Sequence, residues 1–316
     1  MTRPSDNPLV SILERQRAVI LDGGLATTLE DRRYDLNDEL WSARVLLEEP
    51  EAIGRVHGDF LAAGADCITT ATYQASFRGL MKRGLDHEQA QAQLDLAVAL
   101  AVDARDEFWS LPRNRSVRVK PLVAASVGPY GAFLADGSEY TGDYGIDDEE
   151  LADFHRERWH VLARGQADLL ACETLPSLRE AVVLLDLLND TPDRWAWFSF
   201  SCRDGERLCN GTPFGEAVEI CAAHPRVAGI GANCTAPEFI TPLMSVARSV
   251  TDLPLIAYPN SGEVFDPAGK SWRAGASGGN LAAAASQWLD AGVRVIGGCC
   301  RIGPEAIAEL RAVLLD

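Results

Sequence analysis

Eight short apolar runs recur along the chain, and each ends in polar or glycine-rich residues. Most are followed by a segment in which apolar residues repeat with the period of a helix. Continuous apolar runs are typical of strands buried on both faces of a parallel sheet, because crossover helices cover its outside. The predicted strands are 19–21, 67–71, 122–125, 169–171, 196–200, 228–232, 255–257 and 293–296. Eight such units predict a closed (β/α)8 barrel.

The segments between the runs have the pattern of amphipathic helices. After Pro50, apolar positions follow the i, i+3, i+4, i+7 spacing and stop near Gly64. Another helix is expected after Pro176, where Ser177 and Glu180 have the spacing of a capping box. Both helices suit the outer ring of a barrel.

The whole chain is expected to form one domain. Its 316 residues suit a single barrel, and no repeat and no linker rich in proline or serine divides it. We therefore predict an α/β fold, a (β/α)8 TIM-like barrel that spans residues 1–316. The least regular stretch, 128–145, is expected to be a long functional loop after the third strand.

The charge of the chain excludes two classes of partner. There are 29 Lys and Arg residues against 46 Asp and Glu residues, a formal net charge of −17. A field of that sign repels nucleic-acid phosphates and anionic lipid. No apolar run approaches the roughly 18–20 residues of a membrane helix. We expect neither nucleic-acid nor membrane binding.

The amino terminus and the cysteines favour a cytoplasmic protein. Residues 1–16 carry charges and prolines and lack the apolar core of a secretion signal. The eight cysteines do not have the dense spacing of a disulfide framework, which predicts free thiols in a reducing compartment.

Three cysteines follow predicted strands, at the end of a barrel where active sites form. Cys234 follows the sixth strand, and Cys299 and Cys300 follow the eighth. Three thiolates would satisfy a catalytic zinc, which keeps a fourth position for water or substrate. Sulfur is the predicted soft donor, because all five histidines fall in predicted helical segments: His57, His87, His155, His160 and His224.

The other interpretation of these cysteines is structural. A cysteine at the end of an apolar strand is more often a small core residue than a ligand. Gly297 and Gly298 weaken that interpretation for the pair that follows them, because glycine lets backbone approach a ligand closely. In regular strand geometry, at most one of Cys299 and Cys300 would face the interior. The remaining cysteines are assigned to the core: Cys67, Cys172, Cys202, Cys209 and Cys221.

Two acidic residues are expected at the same end of the barrel. Asp22 follows the first strand and Glu173 follows the fourth. Lone acids usually form structural salt bridges, but two at one mouth also suit the ammonium group of an amino-acid substrate. Gly23 and Gly24 would let main-chain N–H groups approach the matching carboxylate, although a tight turn alone would also explain them.

Eight motifs occur in order along nearly the whole chain, from about residue 19 to residue 305. They are Asp22-Gly23-Gly24, Thr70-Ala71-Thr72-Tyr73-Gln74-Ala75, Gly128-Pro129-Tyr130-Gly131-Ala132, Asp136-Gly137-Ser138-Glu139-Tyr140, Cys172-Glu173-Thr174, Asn233-Cys234-Thr235, Tyr258-Pro259-Asn260-Ser261-Gly262-Glu263 and Gly297-Gly298-Cys299-Cys300-Arg301. Together they resemble the motifs of the zinc-dependent homocysteine S-methyltransferases. The loop 128–144 is most similar to the branch that uses S-methylmethionine, which also includes selenocysteine-methylating members.

The resemblance implies a zinc ion held by Cys234, Cys299 and Cys300, with the homocysteine sulfur as the substrate-side ligand. It implies transfer of a methyl group from a sulfonium donor, S-methylmethionine or S-adenosylmethionine, to the thiol of L-homocysteine, which forms methionine. The partners would be small amino-acid substrates, and the chain a monomer or small homo-oligomer. The implied substrate-binding residues are Asp22, Gly23, Gly24, Glu173 and Asn233.

The donor site is expected to bind a cation. Thr174 follows Glu173 where the betaine-using branch carries a tyrosine, which favours a sulfonium over betaine. Aromatic faces attract a sulfonium, and carboxylates pair with its ammonium group. Loop tyrosines more often pack or cap, which is the structural alternative for the rings. The candidates are Tyr73, Asp136, Glu139, Tyr140, Asp143, Tyr144 and Trp272.

Three other functions fit parts of the pattern. The first is a selenocysteine methyltransferase of the same family. The second is a phosphate-sugar barrel enzyme that binds phosphate at residues 277–280, although its Schiff-base version lacks a lysine at a predicted strand end. The third is a non-catalytic zinc or thiol sensor built on Cys299 and Cys300, which would have no use for Asp22 and Glu173.

Overall fold

The computed structural model describes residues 6–34, 36, 42–262, 264–266, 271–273 and 281–315, with the backbone alone at 42–43, 264–266 and 271–273. Its strands are β1 Val19–Ile20, β2 Cys67–Thr69, β3 Leu122–Val127, β4 Leu169–Leu175, β5 Ala196–Phe200, β6 Val227–Asn233, β7 Leu255–Tyr258, β8 Val264–Asp266, β9 Ser271–Arg273 and β10 Val293–Ile296. Eight of them form one sheet in the order β1-β10-β7-β6-β5-β4-β3-β2.

Every pairing in this sheet is parallel. A parallel bridge between Leu21 and Cys67 joins its two ends, and the Asp22 N–H donates to the Cys67 carbonyl at 3.1 Å. The sheet is therefore closed, and the predicted (β/α)8 barrel is confirmed.

Helices precede, connect and follow the barrel strands. They are α1 Pro8–Leu13, α2 Leu25–Asp31, α3 Ser42–Glu48, α4 Pro50–Ala63, α5 Phe77–Lys82, α6 His87–Ser110, α7 Pro112–Val117, α8 Tyr130–Leu134, α9 Asp148–Arg164, α10 Leu178–Asn189, α11 Phe214–Ala222, α12 Pro237–Val250, α13 Leu281–Asp290 and α14 Pro304–Leu315. The helix predicted after Pro50 ends at Gly64, whose φ of 122° suits a residue without a side chain. No described helix is long and apolar enough to cross a membrane.

The barrel interior is filled with side chains, and its N-terminal end is covered by a helix. Alternate strand residues such as Val19, Ala171, Trp197 and Ile256 form one buried apolar cluster inside the barrel. Leu9 and Ile12 of α1 belong to the same cluster, and Asn7 before that helix donates to the carbonyl of Ala228 at 2.8 Å. Because Ala228 lies near the start of β6, α1 covers the N-terminal end of the barrel. The C-terminal end of the barrel, which we call the mouth, therefore remains for functional side chains.

Two connections differ from the sequence prediction. The stretch 128–145 was expected to be irregular, but it contains α8 and a short 3₁₀ helix, Ser138–Tyr140. The connection between β7 and α13 contains an unpredicted antiparallel hairpin of β8 and β9. Both additions follow the C-terminal end of a barrel strand and so extend the mouth.

Only half of the predicted capping box forms at the start of α10. The Ser177 hydroxyl accepts a hydrogen bond from the Glu180 N–H at 3.4 Å, as expected. The Glu180 carboxylate does not return to the N-cap, because it is turned into the protein, where three other donors bind it.

Candidate active site

Three sulfur atoms come together at the mouth of the barrel. Cys234 Sγ lies 2.9 Å from Cys299 Sγ and 3.6 Å from Cys300 Sγ, and all three lie within 4.8 Å of one another. Sulfurs placed tetrahedrally at about 2.3 Å from a zinc ion are about 3.8 Å apart. The spacing therefore fits a single thiophilic metal ion. Within the described ranges, no other group of three metal-ligating side chains is this close.

Cys234 is aimed by an uncommon backbone conformation. It follows β6 directly with a φ of 47°, in the left-handed region that non-glycine residues rarely adopt. Its N–H donates to the carbonyl of Tyr258 at 3.2 Å. Thr174 in β4 is also left-handed, with a φ of 59°. Two strands thus bend sharply where they meet the site, which turns their side chains toward the mouth.

Cys299 and Cys300 reach the cluster together because they lie beyond the strand. β10 ends at Ile296, so the alternation of regular strand geometry, which would send only one of the pair inward, does not apply to these two residues. The Cys299 N–H donates to the carbonyl of Pro259 at 2.8 Å. The turn after β10 is thereby fixed to the loop after β7, and both sulfurs face Cys234.

The three thiols favour the protonated state unless a cation is present. For Cys234, the hydrogen bond that it accepts from Cys299 lowers the pKa, but the hydrogen bond with Cys300 and burial together raise it well above its usual value. The pKa values of Cys299 and Cys300 are also raised, by hydrogen bonding within the cluster and by burial. Three adjacent thiolates repel one another, and a divalent metal supplies the compensating charge.

Gly23 and Gly24 are required by close packing against the cysteine loop. A Cβ at Gly23 would lie 2.1 Å from the carbonyl oxygen of Ile302, and one at Gly24 would lie 2.7 Å from that of Cys299. The Gly24 N–H already donates to the Ile302 carbonyl at 2.9 Å. The close approach of the two loops accounts for both glycines, and Gly23 is left as the candidate donor to a substrate carboxylate.

Asp22 is a buried carboxylate, only 3% exposed. Its Oδ2 accepts hydrogen bonds from the Thr69 N–H at 2.7 Å and the Thr69 hydroxyl at 3.1 Å. Burial raises the pKa of Asp22 to about 8, and the negative charge of nearby Glu173 adds to the rise. The two acids therefore lie close enough to oppose each other's ionisation.

Glu173 is the second buried carboxylate. Its Oε1 accepts a hydrogen bond from the Ser126 hydroxyl, and its Oε2 accepts one from the Tyr258 hydroxyl at 3.0 Å. Burial raises the pKa of Glu173, and its charge is felt by Cys299. The pair of acids adjoins the sulfur cluster, and a cation between them would relieve their repulsion.

The polar residues that hold these acids were missed in the sequence. Thr69, Ser126 and Tyr258 lie at or near the C-terminal ends of β2, β3 and β7. A hydroxyl at the end of a barrel strand was the signal that could have identified them.

Asn233, the last residue of β6, is fully buried beside the cluster. Its Oδ1 accepts hydrogen bonds from the Thr174 N–H and the Ser199 hydroxyl, both at 2.7 Å. Its Nδ2 donates to Thr174 Oγ1 at 2.8 Å and points at Cys299 Sγ from 4.0 Å. Asn233 thus supports the sulfur cluster, and a direct contact with substrate stays a prediction.

Two of the predicted donor-binding residues, Tyr73 and Tyr140, lie beside the sulfurs, and a third, Glu139, lies near both of these tyrosines. Burial raises the pKa of Tyr73 and of Tyr140, and the charges of Cys234 and Glu139 raise both further. Glu139 Oε2 is buried and has no hydrogen-bond partner in the described part of the chain. An unpaired carboxylate oxygen beside two phenol rings is suited to a cationic ligand.

Three of the other donor candidates, Asp136, Asp143 and Tyr144, are placed differently from these residues. Asp136 is exposed and accepts a hydrogen bond from the Ser138 N–H at 2.9 Å, and Asp143 is exposed. The Tyr144 hydroxyl donates a hydrogen bond to Glu180 Oε2 at 2.7 Å. The Trp272 side chain lies outside the described part of the structure, as does the predicted phosphate motif 277–280.

The histidines remain away from the mouth. Four lie in helices, but the prediction for His224 is wrong, because α11 ends at Ala222 and His224 lies in the turn before β6. Its Nδ1 accepts a hydrogen bond from the Arg226 N–H at 3.1 Å, which fixes the ring within this turn. Sulfur is therefore the soft donor available at the site.

The fold and the site define a (β/α)8 barrel with a thiol cluster suited to a metal and an adjoining pair of buried acids. A model of the homocysteine S-methyltransferase family matches residues 19–314. The chain belongs to this family of enzymes, as the resemblance of its motifs implied.

Relatives named as methyltransferases of this kind match over most of their length. The homocysteine S-methyltransferase YbgG of Bacillus subtilis is 48% identical over 306 residues, which are 97% of each chain. The homocysteine S-methyltransferase of Escherichia coli is 47% identical over 97% of this chain and 98% of its own. A selenocysteine Se-methyltransferase of Brassica oleracea var. italica is 43% identical over 94% of this chain and 89% of its own.

The fold also matches a solved structure of the family. The homocysteine methyltransferase MmuM of Escherichia coli, in its metallated form, superposes with a TM-score of 0.87 at 45% identity. The match covers 97% of this chain and 99% of that one.

Proposed function

We propose that this protein transfers a methyl group from a sulfonium donor to the thiol of L-homocysteine, forming methionine, with a zinc ion held by Cys234, Cys299 and Cys300. The observation that carries the proposal is the cluster of three sulfurs within 4.8 Å at the barrel mouth, beside two buried acids. Membership of the homocysteine S-methyltransferase family supports the reaction class.

Zinc is the metal that best suits the donor set. Three sulfur ligands favour a thiophilic ion over magnesium or calcium, which prefer oxygen. Three protein ligands also leave the fourth tetrahedral position open, as in catalytic zinc sites. When bound, the ion would lower the pKa of the homocysteine thiol so that its thiolate is present at neutral pH.

Asp22 and Glu173 would bind the homocysteine ammonium group. Each carboxylate is buried and held by hydroxyl or amide donors, so neither needs to reorganise when the substrate arrives. Burial raises the pKa of both acids because it disfavours their negative charge, and a bound ammonium group would compensate that charge. Gly23 N–H is proposed to donate to the substrate carboxylate, and Asn233 to hold the site together.

Glu139, Tyr73 and Tyr140 would bind the donor. The unpaired Glu139 Oε2 would accept hydrogen bonds from the donor's ammonium group, and the phenol rings would face the sulfonium. A net charge of −17 favours the approach of a cationic molecule. S-methylmethionine is the donor that we propose.

The transfer itself needs no acid or base. The homocysteine sulfur attacks the methyl carbon, a new C–S bond forms, and the donor's C–S bond breaks with its electron pair left on the departing sulfur. The positive sulfonium thereby becomes a neutral thioether that needs no proton. The protein's contribution is to align the sulfur, the methyl group and the leaving sulfur, and to exclude water.

The reaction is tested by measuring methionine formation from homocysteine with several donors in parallel. S-methylmethionine, S-adenosylmethionine and betaine are supplied to the metal-loaded enzyme, with zinc content measured on the same sample. We expect the highest kcat/KM with S-methylmethionine and the lowest with betaine. A preference for betaine would overturn the donor assignment, and no methionine with any donor would overturn the proposed reaction.

Selenocysteine is the second candidate acceptor. The Brassica oleracea relative, a selenocysteine Se-methyltransferase, matches this chain as fully as several homocysteine enzymes do. A selenol ionises more readily than a thiol and would occupy the same position. The comparison of kcat/KM for selenocysteine and homocysteine, with the same donor, decides between the two acceptors.

Glu139→Gln is expected to raise the KM for S-methylmethionine about tenfold or more and to leave the KM for homocysteine within about twofold, because only the donor's ammonium loses a charged partner. Steady-state kinetics with each substrate varied in turn checks this. The matched control is Glu149→Gln, an exposed glutamate in α9, which should alter neither KM. Equal changes in both KM values would contradict the assignment.

A further inference from the structure

Glu180 is a fully buried carboxylate that the proposed reaction does not use. It lies in the first turn of α10, on the outer layer of the barrel. Oε1 accepts hydrogen bonds from the Tyr130 N–H at 2.6 Å and from His155 Nε2 at 2.8 Å, and Oε2 accepts one from the Tyr144 hydroxyl at 2.7 Å. A buried charge is costly, so three directed donors on one carboxylate indicate a specific role.

The carboxylate joins the two ends of the loop 128–145, which we call the donor loop. Tyr130 begins α8 at the start of the loop, and Tyr144 lies at its end. Their rings are 5.3 Å apart, and both pack in a buried cluster with Phe154 of α9 and Val183 of α10. Glu180 therefore closes the loop onto the helices behind it.

A chain of polar contacts compensates the charge of Glu180. The Arg158 guanidinium donates to His155 Nδ1 at 2.9 Å, which leaves the hydrogen of the imidazole on Nε2 and directed at Glu180. Burial lowers the pKa of His155, consistent with a neutral ring. Arg158 also donates to the carbonyl of Gly128 at 2.7 Å, the first residue of the donor loop.

The position of α8 determines where the proposed donor-binding residues lie, because the backbones are in contact. A Cβ at Gly131 would lie 2.3 Å from the backbone nitrogen of Glu139, so α8 and the 3₁₀ helix are in direct backbone contact. Gly128 is similarly close to Tyr73, where a Cβ would lie 2.4 Å from the carbonyl oxygen. A shift of α8 would therefore move Glu139 and Tyr140, and a shift of Gly128 would move Tyr73.

We propose that Glu180 is a positioning residue that holds the donor loop over the sulfur cluster and thereby sets the affinity for the sulfonium donor, an inference that rests on the proposed function. It touches neither substrate. It acts through Tyr130, Tyr144 and the contact of α8 with Glu139. Family motifs place the loop in the chain, but they do not assign its anchor.

The first test is Glu180→Gln, which keeps the size of the side chain but removes the charge and replaces one accepting oxygen with a donor. We expect the KM for S-methylmethionine to rise about tenfold. The KM for homocysteine and the zinc content should stay within about twofold. A general loss of stability would change both KM values or the active fraction, so the split between substrates distinguishes positioning from folding.

Tyr144→Phe provides the second test, because it keeps the ring and removes only the hydroxyl that binds Glu180. We expect a rise in donor KM of about threefold. The double variant Tyr144→Phe with Glu180→Gln should match Glu180→Gln alone, since both changes break one connection. Independent, multiplied effects in the double variant would mean that Tyr144 acts on the donor by itself and would overturn the anchor.

Asp168→Asn is the matched control. Asp168 accepts hydrogen bonds from the Val123 N–H at 2.8 Å and from Arg105 at 3.0 Å, and so anchors the opposite end of β3. It should leave the donor KM within about twofold. Asp168→Asn raising the donor KM as much as Glu180→Gln would overturn the proposal.

Amide hydrogen exchange keeps the proposal testable apart from the reaction. In Glu180→Gln, residues 128–145 should exchange at least about tenfold faster than in the unchanged protein, while the strand segment 227–233 should not change. Unchanged exchange in the donor loop would overturn the anchor. If the unchanged enzyme made no methionine with any donor, the proposed function would fail, and faster exchange in the variant would still establish the anchor.

Discussion

Replacing Cys300 with serine is expected to strip the metal from the protein and to lower kcat/KM for methionine formation by more than about a hundredfold, and Cys234→Ser and Cys299→Ser should do the same. Changes behind a metal's ligands already cost about 10–100-fold, so loss of a ligand should cost more. A serine hydroxyl stays protonated at neutral pH and is a poor ligand for a thiophilic ion. Metal content measured by elemental analysis and methionine formation on the same preparation check the result.

Cys209→Ser is the matched control for the cysteine variants. Cys209 is half-buried like the three cluster cysteines, but it is not part of the cluster. It should keep full zinc and full turnover. A variant of any cluster cysteine that also kept both would show that its sulfur is not a ligand, and the zinc assignment would then be withdrawn.

Replacing Asp22 with asparagine is expected to have opposite effects on stability and on activity. The folded-state pKa of Asp22 is about 8, against an unfolded value near 3.8. Between these values the folded protein holds a proton that the unfolded chain releases, so the free energy of unfolding falls as pH rises from about 4 to about 8. Asparagine cannot ionise. At pH 8 the substrate-free variant should be more stable than the unchanged protein by up to about 5 kcal/mol.

The activity of the Asp22→Asn variant should fall, because the homocysteine ammonium group loses a charged partner. We expect kcat/KM for homocysteine to drop about a hundredfold, with zinc content unchanged. Glu173→Ala should likewise affect homocysteine use far more than metal content. Chemical unfolding at pH 5 and pH 8, with Asp252→Asn as an exposed control, gives the stability readout. Equal pH slopes for Asp22→Asn and the unchanged protein would contradict the assigned pKa.

Much of the site was predictable because the C-terminal ends of all barrel strands lie at the same rim, so residues that follow different strands come close together. Cys234, Asp22 and Glu173 were selected from their positions after or near apolar runs, and they do meet at one mouth. Motif resemblance added Asn233, which lies beside the cluster but is saturated by protein contacts. A residue is predictable in this way wherever its position is fixed by a strand whose apolar pattern is visible in the sequence.

The positions of side chains in loops were harder to predict from the sequence. Spacing alone does not distinguish Glu139, which has a buried unpaired oxygen, from Asp136, which is exposed. Tyr144 was a candidate for the donor, but its hydroxyl binds Glu180. Glu180 itself was assigned to a capping box, because the local spacing fits one. Its carboxylate is instead used by residues distant in sequence.

The sequence by itself determined the barrel, its eight strands and the identity of the chemically competent residues, because apolar periodicity and residue type are local properties. Only the tertiary structure decided that Cys299 and Cys300 both face Cys234, that Gly23 and Gly24 are needed for loop packing, and which acids of the donor loop are buried. These outcomes depend on contacts between segments up to hundreds of residues apart, which local pattern does not encode.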